Sequence, residues 1–281
     1  MAPAPDDAPA LSWAESAQLP ALQARLPGLT LQVLASVDST NARLLDELQR
    51  AATADPGAPQ PRLLVAERQT AGRGRHGRSW ASAPGASLTF SLALPLAARS
   101  WSGLSLAVGA ALADALEPPA PDGALRIGLK WPNDLWLLDA PGRGRKLGGV
   151  LIETVTAGGG RVAVIGVGLN LRPLPAPQRF DTGYASLDEC LPAIDAPGAL
   201  WRVALPLVDA LRRFERDGFA PFIAAWRRRD LLFGQPVRTT DPAAALGVAD
   251  GIDADGALYV RVGGVRHAIV GGEVSVRRAG A

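Results

Sequence analysis

The rarest polar residues of the chain lie in a few short segments, and their types point to a polar, charged ligand. Among 281 residues there are only two lysines, Lys130 and Lys146, and three asparagines, Asn41, Asn133 and Asn170. Arginine is abundant, but it cannot replace a lysine that is needed as a compact point charge. The short neutral donor and acceptor pair of asparagine has no substitute of that length. The segments around these five residues are therefore the first candidates for a functional site.

The most unusual segment is an arginine- and glycine-rich loop, Gly72–Arg78. It satisfies the dinucleotide-binding pattern G-x-G-x-x-G, but residues 79–85 predict a loop where that motif requires a helix, and the expected acidic residue is missing. The dinucleotide interpretation therefore fails. The loop carries Arg73, Arg75 and Arg78, which suit an anionic ligand over which the loop can close. A solvated basic loop or a nucleic-acid contact is the alternative.

Further segments combine glycine or proline with single polar side chains at predicted strand ends. In Lys130-Trp-Pro-Asn-Asp134 the proline ends a strand, so that a cation, an amide and a carboxylate are presented together. Such a set suits a nucleotide or a metal ion, and an ordinary turn is the alternative. Two glycines in each of residues 146–153 and 166–170 allow a ligand close to the backbone. Trp80 directly follows the arginine-rich loop and can stack on a base.

Composition restricts the class of protein. The longest apolar stretch, residues 101–116, contains polar residues and predicts a core helix, and the N-terminus lacks the pattern of a secretory signal. A single cysteine, Cys190, excludes an intramolecular disulfide and a cysteine-based metal site. The net charge of only +2 argues against an RNA-binding module. We therefore expect a cytoplasmic globular protein with one large domain or two unequal ones.

The order of predicted elements indicates a mixed α/β domain over residues 29–233 and a small β-module over residues 234–281. Residues 1–28 are rich in alanine and proline and predict a frayed tail or a short covering segment. The predicted helices cover residues 42–52, 101–116, 199–216 and 220–229. The predicted strands of the first domain cover residues 31–37, 63–67, 87–94, 125–131, 135–138, 147–155 and 162–169.

Taken together, five motifs in one order resemble the biotin protein ligases. They are Asp38-Ser-Thr-Asn41, Gln69 with Gly72–Arg78, Lys130–Asp134, Lys146–Glu153 and Gly166–Asn170. The end of the chain, Gly271–Arg277, is similar to the end of that family's small barrel, so the resemblance covers about residues 30–281. It implies an α+β fold, with a class II synthetase-like mixed-sheet catalytic domain and a C-terminal SH3-like β-barrel. The implied enzyme converts biotin and Mg-ATP to biotinyl-5′-AMP and pyrophosphate, and then transfers the biotinyl group to a carrier lysine.

The resemblance also implies which residues form the site. It assigns catalysis to three cations, namely Lys146, Arg75 and Lys130. It assigns biotin binding to Ser39, Thr40, Asn41, Gln69, Arg73, Gly74, Arg75 and Lys146. It assigns ATP binding to Trp80, Lys130, Asn133, Asp134 and Asn170. Mg²⁺ would arrive with ATP, and Asp134 is the one candidate for a direct ligand. Glu273 and Arg277 would reach the site from the barrel.

The implied partner is the biotin carboxyl carrier protein of acetyl-CoA carboxylase or of another biotin-dependent carboxylase, and a homodimer is compatible with the sequence. Only 37 residues precede Asp38, too few for the DNA-binding domain of many family members. We therefore expect a monofunctional ligase that binds neither DNA nor membranes. At His76 the chain departs from the family, which commonly has arginine. The rival interpretations are a lipoate or octanoate ligase or transferase of the same fold, and a non-catalytic biotin-binding sensor.

Overall fold

The fold was analysed in a computed structural model, which describes residues 13, 18–54, 57, 59–119, 123–140, 142–175, 180, 182–270 and 277–278. Within these residues the α-helices α1–α5 are Gln18–Arg25, Thr40–Ala54, Leu104–Leu116, Ala196–Asp217 and Ile223–Arg229. The strands β1–β7 are Thr30–Val37, Arg62–Gln69, Ser87–Pro95, Ile127–Lys130, Asp134–Ala140, Arg143–Ala157 and Gly160–Asn170. The strands β8–β12 are Pro236–Arg238, Leu246–Ile252, Leu258–Val262, Val265–Ile269 and Arg277–Arg278.

Seven strands form one sheet in the order β1-β2-β3-β7-β6-β5-β4. The outer pair β1–β2 is parallel, because α2 connects its two strands, and all other neighbours are antiparallel. The helix α2 packs Leu44 and Leu48 against one face of the sheet, and α1, α3 and α4 cover the other. Because both faces are covered, β3 is buried along almost its whole length.

The strand register brings distant segments into two neighbouring rows on one face. One row aligns Asp134, Gly149 and Gly168 on β5, β6 and β7. The next row on that face aligns Gly166 of β7 with Ser91 of β3, since side chains two residues apart share a face. The polar motifs found in the sequence therefore meet on one face of the sheet.

Part of the predicted N-terminal tail, residues 1–28, belongs to the folded domain. The helix α1 buries Leu22, and Leu26 just beyond it is buried as well. Trp13 is also buried. Two apolar side chains one turn apart are too weak a pattern to stand out among alanines and prolines, so no helix was predicted here. The rest of the predicted tail lies outside the described residues.

The last five strands form a second, antiparallel sheet in the order β11-β10-β9-β8-β12. The turn between β9 and β10 contacts the predicted nucleotide segment of the first domain, where Trp131 Nε1 donates a hydrogen bond to Gly256 O at 2.9 Å. The segment between α5 and β8 is bound to β4, because Leu231 N donates to Leu129 O at 2.9 Å. The mixed α+β class with a small C-terminal β-module is thus confirmed.

Some element bounds differ from the predicted ones for local reasons. The helix predicted from residue 101 begins at Leu104, because Gly103 has φ of 76°, a left-handed conformation that a right-handed helix cannot contain. The strand predicted over residues 147–155 begins earlier, at Arg143, because β5 pairs with its first residues. Among the described residues, no helix is long and apolar enough to span a membrane.

Candidate active site

The N-terminus of α2 and the end of β2 bring together a cluster of uncharged polar side chains, which we call the neutral pocket. Ser39, Thr40 and Asn41 each expose 4% or less of their surface. Gln69 Oε1 accepts a hydrogen bond from Thr40 N at 2.8 Å and lies 3.2 Å from Thr40 Oγ1. Gln69 N in turn donates to Ser82 Oγ at 2.8 Å, which holds the end of β2 against the following loop. The four residues predicted to form one pocket are therefore brought together.

A charged side chain, Glu153 of β6, lies at the far end of this pocket. Asn41 Nδ2 donates to Glu153 Oε2 at 2.8 Å and to Leu151 O at 3.2 Å. Asn41 Oδ1 lies 2.6 Å from Ser91 Oγ, which is also 2.7 Å from Thr40 Oγ1. The pocket side chains thus form one connected network with a single anionic end.

The arginine-rich loop folds back on itself beside the pocket. Arg73 and Ser79 form an isolated β-bridge, and Gly74 N donates to Arg78 O at 2.7 Å. His76 at the tip is exposed and has φ of 55°, which is uncommon for a residue with a side chain. Arg73 is exposed, whereas Arg75 is half-buried. Of the predicted loop ligands, Arg75 therefore points most clearly toward the interior of the site.

Positive charge gathers around Asp134 at the start of β5. Lys146 Nζ lies 2.7 Å from Asp134 Oδ1, and 6.0 Å from the centre of the Trp80 ring. Burial lowers the pKa of the Arg75 guanidinium, and the charge of Asp134 opposes this change. Arginine remains charged in proteins nevertheless. Asp134 thus forms an ion pair with Lys146, and its charge also acts on Arg75.

Two glycines of β7 leave room for site side chains. A Cβ atom on Gly166 would lie 2.4 Å from Asn41 Oδ1, and one on Gly168 would lie 2.5 Å from Trp80 Cε2. Both distances are shorter than any real carbon contact, so the amide and the indole rest directly on the strand backbone. This close approach explains why the sequence has glycine at alternate positions in an otherwise apolar strand.

Lys130 ends β4 and is 7% exposed. Its Nζ lies 4.7 Å from the centre of the Trp136 ring, a cation–π contact that orients the side chain. In the turn that follows, Asn133 Nδ2 donates to Val150 O at 2.8 Å. Asn133 therefore holds the turn against β6. Trp136 is an aromatic partner of Lys130 that the motif did not indicate.

Asn170, at the end of β7, uses its amide to hold backbone rather than to extend into space. Its Nδ2 donates to Ala185 O at 3.0 Å and lies 3.3 Å from Lys146 O. Ala185 N also donates to Lys146 O, at 2.9 Å. Asn170 thus fastens residues 184–189, which we call the strap, to the strand that carries Lys146.

Arg145 fixes the strap from the other side. Its Nη1 donates to Tyr184 O at 2.9 Å, and its Nη2 lies 2.7 Å from Glu189 Oε2 and 2.8 Å from Asp139 Oδ1. These hydrogen bonds lower the pKa of both Asp139 and Glu189. Burial is the main cause that raises the pKa of Tyr184 to about 12. One arginine thereby links β5, β6 and the strap.

The donor set for a metal ion is small. Among the described residues, no group of three or more His, Cys, Asp or Glu side chains could hold one. Asp134 contributes one carboxylate, which is enough for a Mg²⁺ ion that arrives on nucleotide phosphates and keeps its waters. Glu273 lies outside the described residues, and of Arg277 only the backbone is described, paired with Arg238 in β12.

Four residues that the sequence reasoning did not assign take part in the site, namely Ser91, Trp136, Arg145 and Glu153. Ser91 belongs to a row of polar residues, with Ser87 and Thr89, that alternates with apolar residues along a buried strand. Such a row is a detectable sign of a polar site, and so is Glu153 at the end of a recognised motif. Trp136 and Arg145 carry no such sign, because their roles depend on contacts between strands. The half-buried Cys190 is no candidate nucleophile, since burial raises the pKa of its thiol.

Comparison with known proteins agrees with this fold. A profile of the Biotin/lipoate A/B protein ligase family matches residues 33–170, and one of the Biotin protein ligase C terminal domain matches residues 232–277. The bifunctional ligase/repressor BirA of Salmonella typhimurium is 34% identical over 92% of this chain and 78% of that protein. The biotin–[acetyl-CoA-carboxylase] ligase of Mycobacterium tuberculosis is 36% identical over 87% of this chain and 88% of that protein. The chain belongs to the biotin/lipoate protein ligase family.

A solved structure extends the similarity to the arrangement in space. The biotin protein ligase of Aquifex aeolicus, in complex with biotin and ATP, superimposes with a TM-score of 0.71 at 27% sequence identity. The match covers 89% of this chain and 99% of that one, so both sheets are included. The family has biotin and lipoate branches. The C-terminal profile, the Mycobacterium tuberculosis relative and the Aquifex aeolicus structure all carry the names of biotin ligases.

Proposed function

We propose that the protein is an ATP-dependent biotin protein ligase that forms biotinyl-5′-AMP and transfers the biotinyl group to a lysine of a biotin carboxyl carrier protein. The observation that carries the proposal is the position of Lys146 and Arg75. Lys146 Nζ lies 2.7 Å from Asp134 Oδ1 and 6.0 Å from the centre of the Trp80 ring, and the charge of Asp134 also acts on Arg75. Trp80 rests on Gly168, two residues from Gly166, on which Asn41 of the neutral pocket rests. The similar proteins are named for biotin, ATP and acetyl-CoA carboxylase, which supports the same substrates here.

The neutral pocket suits the ureido ring of biotin. Its hydroxyl and amide groups are buried and fixed by one another, so they can bind an uncharged polar ring without the cost of desolvating a charge. Ser39, Thr40, Asn41 and Gln69 would contact the ring or shape its surroundings. The loop at Arg73 and Gly74 would cover the bound acid and exclude water.

The first step joins two anions, and the cations make that approach possible. An oxygen of the biotin carboxylate attacks the α-phosphorus of ATP, the bond from that phosphorus to the bridging oxygen breaks, and pyrophosphate leaves with the electron pair. Lys146 and Arg75 would stabilise the carboxylate and the α-phosphate as their charges converge. Lys130, held by Trp136, would bind the departing phosphates. Asp134 would hold Mg²⁺, whose charge further neutralises the phosphates.

The nucleoside side of the site is formed by Trp80 and by amides that organise the backbone. Trp80 would stack on adenine, a role that suits an indole resting on the backbone of Gly168. Asn133 and Asn170 would serve ATP mainly by holding the turn and the strap, because their amide hydrogens already bind backbone carbonyls.

The second step requires no nucleophile from this chain. The amine of the carrier lysine attacks the carbonyl carbon of the mixed anhydride, the bond to the phosphate oxygen breaks, and AMP leaves. The amine loses a proton as the amide forms. Cys190 would take no part in this step. The site needs only to protect the anhydride from water until the carrier binds.

Mass spectrometry of a carrier domain tests the proposal. Incubation with the protein, biotin, ATP and Mg²⁺ should add one biotinyl group to the carrier, and a carrier whose target lysine is replaced by arginine should gain nothing. Parallel reactions with lipoate and octanoate should leave the carrier unchanged. A folded protein that binds biotin but never labels the carrier would instead be a sensor.

A further inference from the structure

We propose that Ser91 and Glu153 set the direction of the hydrogen bonds in the neutral pocket, so that Thr40 and Gln69 present two acceptor oxygens to an N–H group of the ligand. The inference rests on the proposed function, because the ligand it concerns is the ureido ring of biotin. Ser91 and Glu153 act through other side chains and are therefore positioning residues.

Glu153 fixes the orientation of the Asn41 amide. Glu153 Oε2 and Leu151 O lie 2.8 Å and 3.2 Å from the same amide nitrogen. A carboxylate oxygen and a carbonyl oxygen only accept hydrogen bonds, so the NH₂ group must face them. The opposite orientation would place three acceptors together. Asn41 Oδ1 is thereby forced to face Ser91 Oγ, at 2.6 Å.

The orientation of the Asn41 amide determines the direction of the hydrogen bond between Ser91 and Thr40. Its hydroxyl is fully buried and has two oxygen neighbours, Asn41 Oδ1 at 2.6 Å and Thr40 Oγ1 at 2.7 Å, but only one proton. Because an amide oxygen cannot donate, the Ser91 proton goes to Asn41. The short contact with Thr40 then requires the Thr40 hydroxyl to donate to Ser91 Oγ.

Thr40 Oγ1 is consequently left with acceptor capacity only. Gln69 Oε1, which already accepts from Thr40 N at 2.8 Å, lies 3.2 Å away and also cannot donate. An N–H group that reaches this pair finds two acceptors, whereas an oxygen atom would face two sets of lone pairs. The ureido ring of biotin has N–H donors. The dithiolane ring of lipoate and the chain of octanoate have none, so the same feature would select among the acids that this fold family uses.

The test uses two biotin analogues in which one or the other ureido N–H is replaced by a ring oxygen, assayed by acid-dependent exchange of labelled pyrophosphate into ATP. The wild-type protein should use at least one analogue with kcat/KM more than about tenfold below that for biotin, since its acceptors would be unpaired. In Ser91→Ala the Thr40 hydroxyl can turn and donate to the ring oxygen. The ratio of biotin to analogue should therefore fall at least about fivefold, while KM for ATP is unchanged.

Three further variants separate positioning from a loss of stability. Thr239→Val removes a buried hydroxyl from the second sheet, where it donates to Ala244 O at 2.8 Å, and should keep the wild-type ratio. Glu153→Leu should lower the ratio less than Ser91→Ala does, because Leu151 O still accepts from Asn41. Glu153→Gln, which keeps an oxygen acceptor for Asn41, should restore most of it. This pair carries the test if Ser91→Ala does not fold.

The outcomes distinguish this inference from the proposed function. If the wild-type protein shows no exchange with biotin, the proposed function is wrong. The other outcome is that the wild-type protein exchanges with biotin, but Ser91→Ala and Glu153→Leu keep the wild-type ratio of kcat/KM for biotin to kcat/KM for the analogue. Ser91 and Glu153 then do not set the direction of the hydrogen bonds, and this inference alone is overturned.

Discussion

Lys146 forms an ion pair with Asp134 that a bound carboxylate would have to share. The two side chains are only partly exposed, their contact is 2.7 Å long, and the ammonium group lies 6.0 Å from the centre of the Trp80 ring. A lysine serves here better than another arginine, because a compact ammonium group can turn from one anion to another without a fixed fork geometry. The same reason accounts for lysine at this position in a chain where nearly all cations are arginine.

We predict that Lys146→Ala lowers biotin-dependent pyrophosphate exchange at least about 100-fold, which is the effect of removing one charge-stabilising donor from an active site. Lys146→Arg should retain only a small part of the rate. Arg143→Ala, an exposed change on the same strand, should keep wild-type activity. Circular dichroism should show folded protein for all three. Exchange near the wild-type rate in Lys146→Ala would remove Lys146 from the catalytic residues.

At the scale of secondary-structure elements, β7 supports both halves of the site through its two close-approach glycines. Gly166 lies under Asn41 and Gly168 lies under Trp80. We predict that each glycine affects one substrate. Gly166→Ala should raise KM for biotin about tenfold or more, and Gly168→Ala should raise KM for ATP by a similar factor. The reason is that each added methyl group displaces one side chain.

The control for this pair is Gly160→Ala at the start of β7, where an added Cβ would meet no atom within 4 Å. It should leave both constants unchanged. Steady-state exchange kinetics with one substrate varied at a time give the comparison. Equal effects of both site variants on both substrates would contradict the division of the strand between the two ligands.

Arg145 anchors the strap, and its replacement tests the role of that segment. Because Arg145 links Asp139, Glu189 and the backbone of Tyr184, its loss should loosen the strap on the nucleotide side. Arg145→Gln should raise KM for ATP several-fold while KM for biotin stays within about twofold, and Arg145→Lys should recover part of the loss. Since these groups are partly exposed, we expect a stability change of only about 1 kcal/mol. A variant with unchanged kinetics would show that the strap needs no such anchor.

How much of this could be predicted from sequence depends on the separation of the interacting residues. The motifs and the helices and strands that carry them were predictable, because each is a local pattern of glycine, proline and rare polar residues. Arg145 was not assigned, because its partners lie 6 and 44 residues away and the chain is rich in arginine. The helix α1 was missed because its buried face consists of few residues.

At the scale of the whole molecule, the junction between the two sheets contains a buried carboxylate. Asp230 follows α5, pairs with Leu129 of β4 in an isolated bridge and accepts a hydrogen bond from Leu232 N at 2.9 Å. Its Oδ2 is buried without a hydrogen-bond partner among the described residues. Burial raises the pKa of Asp230 from 3.8 to about 6. The folded protein therefore holds this proton at pH values where the unfolded chain has released it.

When the pKa of a carboxyl group is higher in the folded protein than in the unfolded chain, the free energy of unfolding decreases as the pH increases between these two pKa values. For Asp230 this range extends from about pH 4 to about pH 6, and the total effect is at most roughly 3 kcal/mol. We predict that the melting temperature of Asp230→Asn, relative to wild type, is several degrees higher at pH 8 than at pH 4.5. A difference that is constant with pH would show that this carboxylate titrates alike in the folded and unfolded protein.

The motifs that meet on the large sheet form the site at which we infer that biotin is activated with ATP. Biotin-dependent exchange of labelled pyrophosphate into ATP is the decisive measurement, because exchange requires that the adenylate forms reversibly at this site. We expect exchange with biotin and none with lipoate or octanoate under the same conditions. Exchange driven by lipoate or octanoate, or no exchange with any of the three acids from folded protein, would show that this assignment is wrong.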